Sequence, residues 1–478
     1  MDNNDVQPIR DAKTLGKAKM LILGLQHLFA MFGATVLVPI IVGGYFADAT
    51  GEPITRGLTV GVTLFCAGVG TLLFHFCTGF KVPVFLGSSF AFLGGFYAVA
   101  NLENGMYAGM GADDKVAYAC GGVLVAGFLY FVLAIIIKMV GIHKVMRFLP
   151  PVVTGPIIIC IGLSLATSAV SNASGNWILA LIALAVVIIF NIWGRGMFKI
   201  IPILMGVAVS YGVAVILNAA GFTNPDGTVI IDFTPVAEAA LISIPPFRFC
   251  RFDFNAILVM APIAIASMME HIGDMSAISA TVGENFIEEP GLHRTLTGDG
   301  LATAFAGLIG GPANTTYGEN TGVLELSKVY DPLVIRIAAV MAIILSFIPK
   351  FSAFISTMPT AIIGGISFML YGMISAIGVR NIVENRVDMT KSRNLIIAGV
   401  IFVSGLGFGG GFTFHVGSAS ITLTSLAIAA VLGILLNAVL PGNDYNYGVN
   451  PQGDRSRGVY IMSSDDQKDK KDGGKNRK

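Results

Sequence analysis

Residues 313–328, with the sequence ANTTYGENTGVLELSK, form a polar interruption in a very apolar chain. The stretch contains two carboxylates, Glu319 and Glu325, together with two asparagines and several threonines. Gly, Thr and Tyr are poor residues for a helix interior and favour extended or broken backbone. Irregular backbone is not tolerated in contact with lipid, but it is tolerated where it lines a buried cavity. The stretch therefore predicts a broken membrane span that faces the inside of the protein.

The composition of the whole chain is that of a membrane protein. Of its 478 residues, 54% are hydrophobic and 12% are charged, against about 25% charged in a typical soluble protein. Apolar runs of about 20 residues recur from end to end, and each can span a bilayer. The net charge of +1 gives no indication of a nucleic-acid partner. The polar first sixteen residues and the long first apolar run predict no cleavable signal peptide.

The apolar runs predict an all-α polytopic membrane protein with fourteen spans. The third, ninth and tenth spans are the weakest, because they are short or interrupted by Gly, Pro and polar residues. The predicted spans are 17–42, 57–77, 82–100, 117–138, 144–165, 175–194, 200–221, 254–276, 296–311, 313–330, 334–355, 357–379, 392–408 and 418–440.

The distribution of Lys and Arg predicts that both termini are cytoplasmic. With fourteen spans, the basic clusters all fall on one side, which the positive-inside rule assigns to the cytoplasm. The loops 43–56 and 101–116, on the other side, are poor in basic residues. The longest outside connection is 222–253, and the polar tail from 443 is expected to be disordered. The basic residues are Arg10, Lys13, Lys17, Lys19, Lys138, Lys144, Arg147, Arg195, Lys199, Arg380, Arg386, Lys391, Arg393 and those of the tail KDKKDGGKNRK.

Three weak sequence matches occur in the same order in the two halves of the chain. LQHLFAMFGAT (span one) matches MEHIGDMSA (span eight), FLGSSFAF (span three) matches TTYGEN (span ten), and PPVVTG (span five) matches PTAIIG (span twelve). This order predicts a seven-span unit used twice, and an odd number of spans gives the two copies opposite orientations. Inverted repeats with interrupted spans at matching positions are typical of secondary transporters, with the binding site at the interruptions.

Glu270 and Glu319 are the ionisable residues that most strongly indicate a functional site. A carboxylate near the bilayer centre is costly and is a functional-site hypothesis by default. Glu270 and Asp274 are four residues apart and share a helix face. A carboxyl group that gains and releases a proton is what a proton-coupled carrier needs. His271 is expected to make a structural hydrogen bond between helices.

Other chemistries are disfavoured by what accompanies these residues. Glu270, His271 and Asp274 have no second histidine at helical spacing and no cysteine nearby, which argues against a metal site. The five cysteines predict neither a disulfide framework nor a metal site. No Ser-His-Asp arrangement is visible, and the glycine-rich stretches 298–307 and 407–412 lack the lysine of a phosphate loop. The chain is therefore expected to be no enzyme and to need no cofactor.

Five motifs carry a family resemblance: QHLFAMFGATVLVP, GSSFAF, EHIG, PGLHR and NTTYGENTGV. Through them the chain resembles the nucleobase–cation symporter-2 family, also called nucleobase–ascorbate transporters, and most of all its bacterial uracil-carrying members. The resemblance runs from about Leu21 to about Leu440. The signature of the tenth span reads Glu319-Asn320-Thr321-Gly322 and ends Ser327-Lys328, with serine where the family has threonine.

The resemblance implies fourteen spans in two inverted repeats, with short antiparallel strands in spans three and ten that meet at the centre. It also implies symport of a nucleobase with protons as the coupling ion, a homodimer, and a multi-pass protein of the bacterial cytoplasmic membrane. The implied divisions are a cytoplasmic N-terminal tail (1–16), a core domain (17–138 and 254–355), a gate domain (144–221 and 357–440), an extracellular connection (222–253) and a cytoplasmic C-terminal tail (443–478).

The resemblance also implies roles for particular residues. Asp274 stands where the best-known uracil carrier has a histidine implicated in proton coupling, so the proton route here is expected to run through Glu270 and Asp274 without a histidine switch. The implied base-binding residues are Glu270 and Glu319, which hold the base; Phe90 and Gly318, which donate main-chain amides; Ala34, Tyr317 and Tyr371, which pack around the ring; and Ser89, beside the ring. The implied proton-coupling residues are Glu270, Asp274 and His27.

The substrate expectation rests on Glu319. Uracil alternates N–H donors with carbonyl acceptors, so carboxylates and main-chain amides can pair with every polar edge and reject analogues that leave groups unpaired. Family members that carry purines commonly have glutamine at this position, so glutamate favours uracil. A xanthine or other purine permease is the alternative, followed by an anion transporter of the same architecture, in which paired acids would repel the substrate. Glu325 is given no role.

Overall fold

The computed structural model describes residues 8–103, 105–408, 411–416 and 419–442. The described chain is mostly helical. The elements of the first half are α1 (Lys17–Thr50), α2 (Val60–Cys77), β1 (Leu86–Ser88), α3 (Leu93–Ala100), α4 (Ala112–Val140), α5 (Ile142–Met146), α6 (Pro151–Ser164), α7 (Ala166–Ser174), α8 (Trp177–Trp193), α9 (Met197–Ile200), α10 (Pro202–Ala219) and α11 (Thr234–Glu238). Those of the second half are α12 (Phe254–Met260), α13 (Ile263–Val282), α14 (Leu292–Leu308), β2 (Asn314–Thr316), α15 (Gly318–Ser327), α16 (Pro332–Ser346), α17 (Pro349–Ser356), α18 (Thr360–Glu384), α19 (Ser392–Gly407), β3 (Phe412–Val416), β4 (Ala419–Leu423) and α20 (Ser425–Val439).

Many of these helices have the length and apolarity of membrane spans. Within the described residues, seven helical segments can cross a bilayer, and the pair α16–α17, bent by 87°, adds an eighth if it is one span. Helix α4 shows why a bilayer is the fitting solvent: Phe128, Val132 and Ile135 are each more than half exposed on its outer face. An apolar exterior of this kind is unfavourable in water and suits lipid. The structure thus confirms a polytopic helical architecture.

The strands β1 and β2 pair antiparallel inside the protein, as the family resemblance implies. Gly87 lies opposite Thr315, and all residues of both strands are buried. The pairing extends one step beyond each strand, because the Ser89 N–H donates to the Ala313 carbonyl and the Tyr317 N–H to the Phe85 carbonyl. Buried backbone must be paired in a membrane protein, and each interrupted span satisfies the other. Two of the three weakest predicted spans, the third and the tenth, therefore form one unit.

Glycines set the close crossing of α4 with α14. A Cβ placed on Gly300 would lie 2.8 Å from the Gly127 carbonyl oxygen, and one on Gly307 would lie 2.8 Å from the Cys120 carbonyl oxygen. Small residues let two helix backbones approach in a membrane, where packing replaces the hydrophobic effect as the driving force. This crossing supports α14 at the position of Asp299.

The structure differs from the predicted spans at three places. The span predicted at 334–355 is two helices with a sharp bend, because Pro349 begins α17 and cannot continue α16. The span predicted at 144–165 starts as a membrane helix only at Pro151, the first residue of α6. The span predicted at 418–440 begins at Ser425.

A hairpin that was not predicted from the sequence precedes that last helix. Strands β3 and β4 pair antiparallel, with Phe412 opposite Leu423. The predicted strands of spans three and ten are present, and this hairpin is additional to them; aromatic and β-branched residues in FTFHV and ASITL favour its extended backbone. The C-terminal tail from 443 lies outside the described residues, as do residues 1–7 of the N-terminal tail.

Candidate functional site

The centre of the site is the β1–β2 pair and the two helix starts that follow it. After β1, the chain enters a 3₁₀ turn at Phe90–Phe92 that leads into α3, and after β2 it enters α15 at Gly318. The first N–H groups of a helix have no intrahelical acceptor, and they carry partial positive charge. The predicted amide donors, Phe90 and Gly318, thus each stand where a helical segment begins beside the strand pair.

Helix α13 crosses both ends of the strand pair. The Ser267 Oγ lies 3.4 Å from the Ser89 Oγ, just beyond β1. Seven residues on, the Asp274 Oδ2 accepts a 2.6 Å hydrogen bond from the Thr316 hydroxyl at the end of β2. Side chains at such spacings share one helix face. Glu270, which lies between these two contacts and is half-buried, therefore faces the strand pair.

The Tyr317 side chain links the two strands by a hydrogen bond. Its hydroxyl donates to the Ser88 carbonyl at 2.9 Å and lies 3.3 Å from the Ser88 Oγ, which itself donates to the Thr35 carbonyl of α1 at 3.0 Å. The Tyr317 ring packs where a side chain on Gly87 would stand, so only glycine fits there. The side chain expected to pack on a base ring thus also fixes the register of the strands and their distance from α1.

Aromatic and small residues close the remaining sides. The Phe90 and Tyr371 rings meet edge to face with centroids 6.1 Å apart, and both side chains are almost fully buried. This contact joins the 3₁₀ turn after β1 to α18. Ala34 is fully buried in α1, next to Thr35, which accepts the Ser88 bond. One strand pair is thus surrounded by six of the implied base-binding residues: Ala34, Ser89, Phe90, Tyr317, Gly318 and Tyr371.

His27 is held by α15. The Asn320 side-chain amide donates to the His27 carbonyl at 3.1 Å and lies 3.2 Å from the His27 Nδ1, and both side chains are buried. His27, one of the implied proton-coupling residues, is thus linked to α15 by hydrogen bonding. Glu319 is the second residue of α15, but its side chain lies outside the part of the chain that the structure describes.

Two further features were not identified as functional from the sequence. Thr316 and Ser267 form the contacts at the two ends of the α13 face. The signal for Thr316 was its hydroxyl within TTYGEN, and the signal for Ser267 was its position three residues before Glu270. His271 makes the structural hydrogen bond expected of it. Its Nε2 lies 3.0 Å from the Thr295 hydroxyl on α14, and its Nδ1 lies 2.9 Å from the Asp299 Oδ2. A charged residue inside a predicted span was the signal for Asp299.

Comparisons with known proteins show the family and the fold of the chain. A family described as "Permease family" matches residues 18–413. The chain is 39% identical to the uracil permease of Bacillus caldolyticus, over 92% of this chain and 96% of that protein. It is 38% identical to the probable uracil permease of Haemophilus influenzae, over 90% of this chain and 96% of that protein. The solved structure of SLC26A9 superposes with a TM-score of 0.59 at 12% identity, covering 90% of this chain and 66% of that chain. At that identity the likeness shows a shared fold.

Proposed function

Because the chain belongs to this permease family, the nucleobase–cation symporter-2 family of membrane transporters, we propose that it imports uracil together with protons by alternating access. It is a transporter and not an enzyme. It is a multi-pass protein of a bacterial membrane. We infer in addition that transport is coupled to protons, that both termini are cytoplasmic and that the residues described below bind the base.

The placement of Glu270 carries the proposal. This carboxylate lies on the face of α13 whose Ser267 contacts Ser89, just beyond β1, and whose Asp274 contacts β2. Two helix starts, at Phe90 and Gly318, offer amide donors beside it. A uracil held here would give its N–H groups to the carboxylates of Glu270 and Glu319 and receive main-chain N–H groups at its carbonyls. Such a site satisfies both polar edges of the ring.

We further propose that the helices form fourteen spans in two inverted repeats, oriented with both termini in the cytoplasm. A core domain is supported by the pairing of two interrupted spans and by the packing of α14 against α2 and α4. A gate domain is supported by the packing of α18 against α6, α7 and α8. Phe90 belongs to the core and Tyr371 to the gate. Movement of one domain against the other would therefore open and close the Phe90–Tyr371 contact. The homodimer implied by the resemblance is part of the same proposal.

Proton coupling would follow from the negative charge of the carboxylates in the site. Moving a domain that carries a carboxylate through the membrane is costly, and a bound proton removes that charge. Glu270 and Asp274, on one face of α13, would take up the proton on the outside and release it inside. A state that binds proton and base together more tightly than either alone would be favoured when both are present.

Equilibrium binding to the purified full-length protein tests the substrate. We expect saturable binding of labelled uracil that unlabelled uracil displaces and equimolar xanthine leaves intact. Equal displacement by xanthine would favour the purine permease instead. The shared fold with SLC26A9 says nothing of substrate, and the acids Glu270 and Asp274 disfavour an anion.

Replacing Glu319 with glutamine is expected to weaken uracil binding by more than about tenfold, because the amide keeps an acceptor but loses the charge that strengthens the hydrogen bond. The measurement is the Kd of uracil by competition binding. Glu325→Gln, six residues further along α15, is the matched control and should bind as the wild type does. Unchanged affinity in Glu319→Gln would remove this residue from the base site.

Replacing Asp274 with asparagine is expected to impair uracil accumulation more than uracil exchange. Asparagine retains an oxygen that accepts the Thr316 hydrogen bond, so the binding site is preserved while the titrating group is lost. The measurements are gradient-driven uptake and counterflow in proteoliposomes, with Asp388→Asn, an exposed loop residue, as the control. Equal loss of both activities would contradict a coupling role for Asp274.

A further inference from the structure

A second ionisable pair lies inside the protein, between α13 and α14. His271 on α13 and Asp299 on α14 are both 0% exposed, and the imidazole Nδ1 lies 2.9 Å from the Asp299 Oδ2. On the other side of the ring, the Nε2 lies 3.0 Å from the Thr295 hydroxyl, and that hydroxyl lies 3.1 Å from the Leu292 carbonyl. The Nε2 is therefore hydrogen-bonded to α14, and the Nδ1 lies close enough to a carboxylate oxygen of α14 to form an ion pair with it.

The residues packed on the pair include aromatic rings of α2 and α4. The Phe74 ring of α2 packs edge to face on the His271 ring at 6.3 Å. Tyr130 of α4 is fully buried and interacts electrostatically with both Asp299 and Glu270. The other titratable residues on these four helices are Glu270 and Asp274 on α13, His293 and Arg294 on α14, Asp113, Asp114, Lys115, Tyr118, Cys120, Tyr130 and Lys138 on α4, and Cys66, His75 and Cys77 on α2. His75 is turned to the Val84 carbonyl, 2.9 Å away.

Hydrogen counting shows that this geometry fits two protonation states. A hydroxyl has one hydrogen to donate and can accept as well. If the Thr295 hydrogen points to the His271 Nε2, then the Nδ1 carries the hydrogen that joins it to an ionised Asp299, and the pair has a charge of −1. If the Thr295 hydrogen points to the Leu292 carbonyl, the Nε2 must carry its own hydrogen, and the pair holds one more proton and is neutral overall.

The two states differ only by one proton and the rotation of one hydroxyl. No heavy atom has to move, because the Thr295 oxygen is already within hydrogen-bond distance of both the Nε2 and the Leu292 carbonyl. A net charge in a fully buried site is unfavourable, and a bound proton removes it. The arrangement therefore suits the reversible binding of one proton without distortion of the helices.

We propose that the His271–Asp299 pair is a proton-binding site of the core, separate from the base-facing carboxylates Glu270 and Asp274. The incoming proton binds at the Nε2 of His271 while the Thr295 hydroxyl turns its hydrogen to the Leu292 carbonyl, and release reverses both steps. Its place in coupling rests on the proposed uracil–proton symport, because the site lies one residue from Glu270 on the same helix. Proton binding itself requires no substrate.

Nitrogen-15 NMR of the full-length protein in nanodiscs, labelled at histidine and free of uracil, tests proton binding directly. His271→Asn assigns the His271 signals. We expect the Nε2 to change between a bare and a protonated nitrogen when the pH is varied from about 5 to about 9. Asp299→Asn should abolish this change. A single unchanging form of the wild-type ring throughout that range would overturn the proposal, whatever the substrate proves to be.

Transport supplies a second readout that a purely structural role would not move. In His271→Asn and Asp299→Asn, we expect gradient-driven uracil accumulation to fall by about tenfold while counterflow stays within about threefold of the wild type. His293→Asn, in the first turn of α14, is the control and should retain both activities. Full accumulation in both variants would overturn the proposal. Absence of uracil uptake in the wild type would instead count against the proposed function, and the NMR test of proton binding would still apply. If Asp299→Asn does not fold, Asp299→Glu takes its place, and we expect it to retain the NMR change.

Discussion

Replacing Glu270 with alanine is expected to weaken uracil binding by about 10- to 150-fold and to abolish accumulation. A hydrogen bond to a charged group contributes about 1.5–3 kcal/mol, and each 1.4 kcal/mol or so changes a Kd tenfold. The methyl group can neither accept an N–H of the base nor bind a proton, so binding and coupling fail together. The measurements are the Kd of uracil and gradient-driven uptake.

The control for this prediction is Glu238→Ala, which removes an exposed carboxylate from the short helix α11. It should change neither quantity. Thermal unfolding of both variants separates a loss of binding from a loss of folded protein. If folded Glu270→Ala binds uracil as tightly as Glu238→Ala, the base does not sit against the face of α13 that touches the strands.

The second large effect is expected on stability. Gly300→Leu should lower the free energy of unfolding by about 3 kcal/mol, the upper part of the range for overpacked sites. The added side chain meets the Gly127 carbonyl of α4, and a Cβ alone would lie 2.8 Å from that oxygen. Backbone cannot turn aside as a flexible side chain can, so the helices must separate. The measurement is thermal or denaturant unfolding in detergent.

Gly399→Leu is the matched control, since it places the same side chain inside α19, where nothing lies within 4 Å of the new Cβ. We expect it to unfold close to the wild type. Equal stability of the two variants would show that the α4–α14 crossing is not set by its glycines.

The centre of the fold was predictable because its signals are local. Gly, Ser and Thr in GSSF and TTYGEN favour broken backbone in two otherwise apolar spans, and the membrane requires such backbone to pair internally. The structure confirms that pairing. The spacing of Glu270 and Asp274 likewise places them on one helix face, and the Thr316 contact shows that this face is turned to the strands.

Other features depend on contacts between distant parts of the chain. The sequence indicates Tyr317 as a ring that packs on a base, but its bond to Ser88 exists only once the two strands have paired. The pairing of His271 with Asp299 depends on how α13 and α14 cross. The β3–β4 hairpin was not predicted because its ten strand-forming residues adjoin the longer apolar run of the last helix, and part of the hairpin was assigned to that span. The assigned roles of Glu319, His27 and the gate domain stay predictions.

Uracil uptake by proteoliposomes that contain only this protein tests the central claim most directly. With an imposed inward proton gradient, we expect labelled uracil to accumulate above its external concentration. Collapse of the gradient with a protonophore should release it to equilibrium, and excess unlabelled xanthine should leave it unchanged. Uptake that only equilibrates and is indifferent to the gradient would contradict proton symport, and uptake abolished by xanthine would contradict the assignment of uracil.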